Sequence, residues 1–159
     1  KIWCNLNLDP SKKRIVFSSS FSNPIKNFKL AEKAIQLLRN PNIEIIELKH
    51  RTREEVALLL NASDLLLITS HFEGSSQIAK EALACNCPIV STDVGDIKEF
   101  IGQSSNSFIC GFNPVEISQK IEKVLTTEGR SNGRNNMIIY DNHATTIKLI
   151  EIYKKVLNR

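Results

Sequence analysis

The chain has 159 residues, 42% of them apolar, which is enough to bury one full hydrophobic core and favours a single compact domain. The net charge of +4 is modest, and the 21 lysines and arginines are interleaved with 17 acidic residues instead of forming a basic tract, which argues against nucleic acid as a partner. No apolar run approaches the roughly 20 residues that a membrane-spanning helix needs, and no charged-then-apolar leader opens the chain, so a soluble chain is expected. It begins with Lys1 instead of methionine, as a segment of a longer protein would.

In chain order, "RIVFSSS" (Arg14 to Ser20) is a β-branched and aromatic run, and "FKLAEKAIQLL" after it carries Phe28, Ala31, Ile35 and Leu38 at helical spacing. "IEIIEL" (Ile43 to Leu48) predicts a second strand. "TREEVALLLNA" predicts a helix opened by Thr52 with Glu55 three residues on, a capping-box spacing. "DLLLITS" has the unbroken apolar run of a strand buried on both faces. A helix over "SSQIAKEALAC" and strands at "CPIVST" and "SNSFICG" come next, then a helix over "PVEISQKIEKVL" with Pro114 suited to its first turn. "TTEGRSNGRNN" reads as a loop. "ATTIKLIEIYKKVL" places Ile147, Ile150, Tyr153 and Leu157 on one stripe, the pattern of an amphipathic helix. Strands alternating with helices every 20 to 25 residues or so predict a Rossmann-like α/β domain, a parallel sheet with helices on both faces and right-handed crossovers. Residues 14–125 form its core and 126–159 a C-terminal helical region.

Four cysteines, Cys4, Cys85, Cys87 and Cys110, are too few and too unevenly placed for a disulfide framework, and three of them sit among apolar residues. A reduced, cytoplasmic setting is expected. Cys-Asn-Cys is not a zinc spacing, and no histidine clusters with it in sequence, so no metal site is expected.

Ligands of open parallel sheets bind at the carboxyl ends of the strands, beside helix N-termini whose backbone N–H groups are unpaired. In "SHFEGSSQIAKEA" a Gly-Ser-Ser turn follows the third strand and opens a helix near Ser75 or Ser76, with Glu73 before it and Glu81 within it. Gly74 and the serines would let an anion approach the main chain, and a diphosphate suits that turn. Eight residues of continuous helix would separate the glutamates by about 12 Å. That exceeds the carboxylate spacing of either glycosidase geometry and suits two acceptors gripping hydroxyls of an extended ligand. The plain alternative is a surface glutamate paired with Lys80. Lys26, after the polar turn "SSSFSNP", is placed to meet phosphate charge. Gly95 in "STDVGD" follows the fourth strand, and Arg51 lies at the end of the second. No Gly-x-Ser-x-Gly elbow, no Gly-x-x-x-x-Gly-Lys-Ser/Thr loop and no Gly-x-Gly-x-x-Gly fingerprint occurs, which argues against a nicotinamide-binding domain.

Together "NASDLLLITSHFEGSSQIAKEALACNCPIVSTDVGDIKEFI" and "KNFKLAEKA" resemble the C-terminal, donor-binding half of retaining family 4 glycosyltransferases of the two-Rossmann-domain, GT-B type. The resemblance runs firmly from Arg14 to Leu125 and is strongest to members that make bacterial surface polysaccharides such as teichuronic acid. It implies that Glu73 meets donor-sugar hydroxyls, Glu81 the nucleotide ribose, and Lys26 the phosphates, while Gly74, Ser75, Ser76 and Gln77 offer backbone amides. The donor implied is a nucleotide-diphosphate sugar, a UDP-sugar above all, with no further cofactor. The acceptor, a glycan or a lipid-linked one, is implied to bind an N-terminal domain absent from this chain, leaving this domain inactive alone. The full-length protein would then work in the cytoplasm, with peripheral association at the inner face of the membrane compatible with its charge. Two positions depart from the family pattern. No arginine precedes Lys26 in "SSSFS", so Arg51 or a residue outside the chain would have to supply that charge, and Asp96 replaces the second glycine after Val94. A sugar-nucleotide epimerase domain and a non-catalytic α/β interaction module are the competing readings.

Overall fold

The computed structural model describes residues 8–140 and 142–157. Its sheet has five strands, β1 (Lys13–Phe17), β2 (Ile43–Glu47), β3 (Leu65–Ile68), β4 (Ile89–Thr92) and β5 (Phe108–Cys110), in the order β2-β1-β3-β4-β5. Every pairing is parallel. The chain runs outward from β1 to β2, then returns to the other side of β1 for β3, β4 and β5. That reversal opens a crevice at the carboxyl ends of β1 and β3. The fold is Rossmann-like.

Helices α1 (Phe28–Leu37), α2 (Arg53–Ala62), α3 (Gln77–Ala84), α4 (Ile97–Ile101), α5 (Pro114–Thr126), α6 (Arg134–Met137) and α7 (Asn142–Leu157) connect or follow the strands. Alternation along the strands divides the core into two layers. Ile15, Phe17, Leu65, Leu67 and Val90 pack against Leu30, Ala31 and Ala34 of α1 and Ile117, Ile121 and Val124 of α5. Val16, Leu66, Ile68 and Ile89 face Leu60, Ala79, Ala82, Leu83, Ile97, Phe100 and Ile101 on the opposite side. Each such Val, Leu, Ile or Phe side chain contributes about 1.5–3 kcal/mol by leaving water, and β3, buried on both faces, is the axis of the fold. Thr52 caps α2 through the full reciprocal box with Glu55, and Pro114 occupies the first turn of α5 behind the Asn113 cap.

Three features depart from expectation. Helix α4 forms over "IKEFI", a stretch too short for its period to register in the sequence, and buries Ile97, Phe100 and Ile101. The Gly- and Asn-rich stretch is a loop only as far as Gly133, and α6 follows it. A Cβ on Gly133 would lie 2.3 Å from Leu83 Cδ2, so the loop docks closely on α3. Helix α7 forms as expected, but Ile147, Ile150, Tyr153 and Leu157 remain 45 to 81% exposed: the pattern sets the helix, not what covers it.

Arg130 fastens the docked loop. Its guanidinium donates to the carbonyls of Leu60 (2.7 Å) and Ser63 (2.8 Å) at the end of α2 and, more weakly, to that of Cys85 (3.5 Å). Helix carbonyls left over at a C-terminus accept well from a cation. Arg130→Met is expected to lower the unfolding free energy by about 2 kcal/mol, since charge-assisted bonds are lost and carbonyls are stranded. Urea titration measures this, and a loss below about 0.5 kcal/mol would leave the arginine without structural weight.

Cys85, Cys87 and Cys110 are free thiols, and Cys4 lies outside the described residues. Burial pushes the thiols of Cys87 and Cys110 up to about 12. Folding therefore favours their protonated forms, and that contribution, complete below the ordinary thiol value, fades as pH rises through 9 toward 12. Native protein at pH 8 should leave both unalkylated while unfolded protein reacts at both, as peptide mapping by mass spectrometry would record.

Candidate functional site

The site grows from the end of β3. Thr69 and Ser70 are fully buried just beyond the strand. The Thr69 hydroxyl, Oγ1, lies 3.0 Å from the carbonyl oxygens of both Lys26 and Asn27, and the His71 N–H donates to the Ile25 carbonyl at 2.8 Å. These bonds sew the 3₁₀ turn Pro24–Lys26 onto the tip of β3. The turn is shaped locally: the Asn23 side chain accepts from the Ile25 N–H, Pro24 fixes the first backbone angle, and Asn27 adopts the left-handed conformation (φ 53°) that swings the chain into α1.

Lys26 is thereby delivered to Glu73. Its Nζ lies 2.5 Å from Glu73 Oε1, and the Ser70 hydroxyl donates to the same oxygen at 2.7 Å. The two side chains of this pair are only 19 and 12% exposed. Lys26, from a segment 47 residues before Glu73, thus joins Ser70 and Glu73 in one charged cluster at the mouth of the crevice. Thr92, at the end of β4, donates from Oγ1 to the Ser70 carbonyl at 2.9 Å and braces the turn from the other side. Gly95 completes that brace with φ +57°, where a Cβ would lie 2.4 Å from the Gly74 carbonyl oxygen and 2.9 Å from that of Glu73.

Beyond Glu73 the chain turns through Gly74, Ser75 and Ser76, and α3 begins at Gln77, slightly later than expected. Because residues 73–76 are a turn, the continuous-helix estimate of the separation between Glu73 and Glu81 does not apply. Gly74 has no need of a left-handed backbone, and the position of its missing Cβ faces open space. Ser76 is the N-cap residue, but its hydroxyl makes no cap bond and is buried without a partner. The first-turn N–H groups of α3 therefore carry no side-chain cap, which is the condition for accepting an anion.

Glu81 is half-buried and, among the described residues, its side chain makes neither ion pair nor hydrogen bond. It is not paired with Lys80, whose ammonium instead reaches Ser75 Oγ at 2.6 Å. Arg51 does not join the cluster. It stands beyond the edge strand β2, in a concavity shared with Glu47, Lys49 and His50, and its guanidinium pairs with Glu55 at 3.5 Å. An i,i+4 neighbour on an exposed helix start is a nearer partner than the end of β3. Asp96 caps the start of α4 without a side-chain bond, and its Oδ1 is buried unpartnered.

Ser70, Thr69, Thr92 and Glu47 are structural members of the site with no signal of their own in the sequence. Glu47 accepts from the Phe21 N–H (2.7 Å) and from Ser20 Oγ (2.8 Å), fixing the loop that precedes Lys26. Those two bonds, the backbone one foremost, hold its carboxyl below the usual glutamate range. The brace is thus present above the ordinary carboxylate value and lost as pH falls through the lowered one. No group of three or more His, Cys, Asp or Glu among the described residues is placed to hold a metal ion. Nor is any described helix long and apolar enough to cross a membrane.

A family described as glycosyl transferases group 1 matches residues 40–143, well over half of the chain. This chain belongs to that family. Glu73, Glu81 and Gly95 fall inside the matched region, and Lys26 precedes it. N-acetyl-alpha-D-glucosaminyl L-malate synthase of Bacillus anthracis is 37% identical over 76 residues, 48% of this group 1 chain and 20% of the synthase. An uncharacterized glycosyltransferase of Methanocaldococcus jannaschii is 29% identical over 102 residues, 63% of this chain and 29% of its own. Among solved structures, sucrose-phosphate synthase from Thermosynechococcus elongatus superposes with a TM-score of 0.81 at 13% identity, covering 99% of this chain and 48% of that one. WaaG, a glycosyltransferase involved in lipopolysaccharide biosynthesis, superposes at 0.67 with 18% identity over 91% of this chain and 46% of its own. At such identities the structures establish the fold, that of GT-B glycosyltransferases. This group 1 domain spans under a third of the curated relatives it matches and about half of these two structures.

Proposed function

We propose that this chain is the donor-binding domain of a glycosyltransferase that moves a hexosyl group from a nucleotide-diphosphate sugar, a UDP-sugar first of all, to a glycan or lipid-linked acceptor with retention of configuration. The acceptor is held by a second, N-terminal domain outside this chain, and the domain alone is inactive. The observation that carries this reading is the cluster of Lys26, Ser70 and Glu73 beside the uncapped start of α3, with the Glu81 side chain, farther along the same helix, unpartnered among the described residues.

In this arrangement the diphosphate lies against the first-turn amides of α3, with Gly74, Ser75, Ser76 and Gln77 presenting main chain to phosphate and sugar. Glu73, oriented by Ser70 and Lys26, accepts from donor-sugar hydroxyls, and Glu81 accepts from the ribose. As the bond to the anomeric carbon breaks, charge grows on the departing diphosphate, and the Lys26 ammonium and the helix N-terminus stabilise it where it appears. No further cofactor and no metal are required in this scheme. The free thiols fit a reduced cytoplasmic compartment, and the lipid-linked class of acceptor fits peripheral association with the inner membrane face.

The test is a chemical-shift titration of the chain with uridine diphosphate and its sugar conjugates. Binding should perturb Lys26, residues 74–77 and Glu81 together, and Glu81→Gln should weaken it by about ten-fold. Unchanged spectra at millimolar ligand would reject the donor-binding reading.

A further inference from the structure

We propose that Lys80 is a second cation of the donor site, seating an anionic group of the donor against the Gly74–Ser76 turn. This rests on the donor-binding reading above and adds to it a residue at the far side of the turn from Lys26. The need for it arises from charge. Lys26, the cation that joins Glu73 at the mouth of the crevice, is already neutralised by that pairing, and Glu81 adds a further carboxylate on α3 with no ion-pair partner among the described residues. A helix N-terminus offers only roughly half an elementary charge, so a doubly anionic diphosphate arriving there would meet a site with a deficit of positive charge. Arg51 does not fill the deficit, being paired with Glu55 outside the cluster.

Lys80 is held where the charge is lacking. Its Nζ donates to Ser75 Oγ at 2.6 Å, which ties the ammonium to the residue before the N-cap of α3. The same ammonium stands 4.8 Å from the centre of the Phe100 ring and 6.0 Å from that of Tyr140. Aromatic faces hold a cation without neutralising it and shield it from water, so its field toward a neighbouring anion is stronger than that of a solvated lysine. Among the described residues, no carboxylate lies within ion-pairing distance of it. An ammonium has three donors, and Ser75 uses one. At the same helix start the Ser76 hydroxyl is 3% exposed and has no partner, a second polar group left open at this turn. The anion read by Lys80 is an oxyanion of the donor, either the diphosphate itself or a carboxylate on the transferred sugar.

The experiment compares the 159-residue chain with Lys80→Gln and Lys80→Arg by calorimetric titration with uridine diphosphate, UDP-glucose and UDP-glucuronate. Thermal unfolding of each variant is followed alongside. Lys80→Gln should bind about ten-fold more weakly and show a shallower dependence of affinity on salt, while Lys80→Arg stays within about three-fold of the parent. A loss shared by all three ligands places the contact on the diphosphate. A loss confined to UDP-glucuronate places it on the sugar carboxylate. Equal binding of all three ligands by parent and Lys80→Gln overturns the inference, and so does an equal loss in Lys80→Arg, which would make the effect one of shape instead of charge. A parent chain that binds none of the ligands rejects the donor-binding reading itself, a result distinct from either.

Discussion

In the full-length protein, Glu73→Gln is expected to slow sugar transfer by about 10²–10³-fold while leaving the fold intact. The substitution keeps the size and the hydrogen-bonding shape of the side chain and removes only its charge. That charge does two things in the cluster. It holds the Lys26 ammonium at 2.5 Å, and it strengthens the bond that Ser70 donates to the same oxygen; an amide oxygen still accepts from Ser70 but no longer anchors the ammonium. In the proposed mechanism Lys26 must also face the departing diphosphate, and the loss of one preorganised group at such a site typically costs two to three powers of ten in rate. Ser70→Ala, which removes a neutral donor to the same oxygen, should cost far less, about ten-fold or below. Steady-state transfer assays on the two variants, with thermal unfolding as the control for folding, separate these effects. A Glu73→Gln enzyme within three-fold of the parent would remove Glu73 from the chemistry and return Lys26–Glu73 to the status of a structural ion pair.

Gly95→Ala is expected to destabilise the domain by about 3 kcal/mol and to weaken donor binding well beyond what that loss alone would produce. Two costs combine. At φ +57° an alanine pays the left-handed penalty of roughly 1 kcal/mol, and its Cβ would lie 2.4 Å from the Gly74 carbonyl oxygen, a contact that only a shift of main chain can relieve. The atoms that must move belong to Glu73 and Gly74, the middle of the candidate site. Gly74→Ala makes the contrast, because its backbone is not left-handed and nothing lies within 4 Å of the new methyl group, so its stability cost should stay below about 1 kcal/mol. Urea unfolding of the two alanine variants measures the difference. Equal stabilities would mean that the loop after β4 does not support the Glu73 turn.

Two positions near the site depart from the family pattern. Asp96 beside Gly95 starts α4 and does not disturb the brace, since it is Gly95 and Thr92 that touch the Glu73 turn. The missing arginine before Lys26 leaves a loop whose shape is kept by Glu47 across the neighbouring strand, through a backbone N–H and a hydroxyl instead of a charge.

Much of the architecture could be read along the chain because it depends on local period. Unbroken apolar runs marked β3 as buried on both faces, and 3.6-residue spacing marked α1 and α5. Thr52 with Glu55 marked the start of α2. Helix α4 escaped because five residues carry too little periodicity, and it is specified by the layer it covers, where Ile97, Phe100 and Ile101 meet the core. The stripe on α7 was legible as a pattern, yet its apolar residues stand exposed, because amphipathicity states that a face can be buried and not that anything buries it.

For the site, the sequence by itself determined which residue types stand at the turn: Glu73, the Gly-Ser-Ser segment, Glu81 eight residues on, and a lysine after the first strand. Spacing along a chain carries that information directly. Only the tertiary structure decided that Lys26 and Ser70 share one oxygen of Glu73, that the Glu81 side chain has no partner among the described residues, that Arg51 turns away to Glu55, and that Gly95 presses on the turn from the loop after β4. The contacts of Lys26 with Glu73 and of Gly95 with the Glu73 turn join segments tens of residues apart through the order β2-β1-β3-β4-β5. That order follows from burying two apolar layers at once, a property of the folded whole that no local window of the sequence contains.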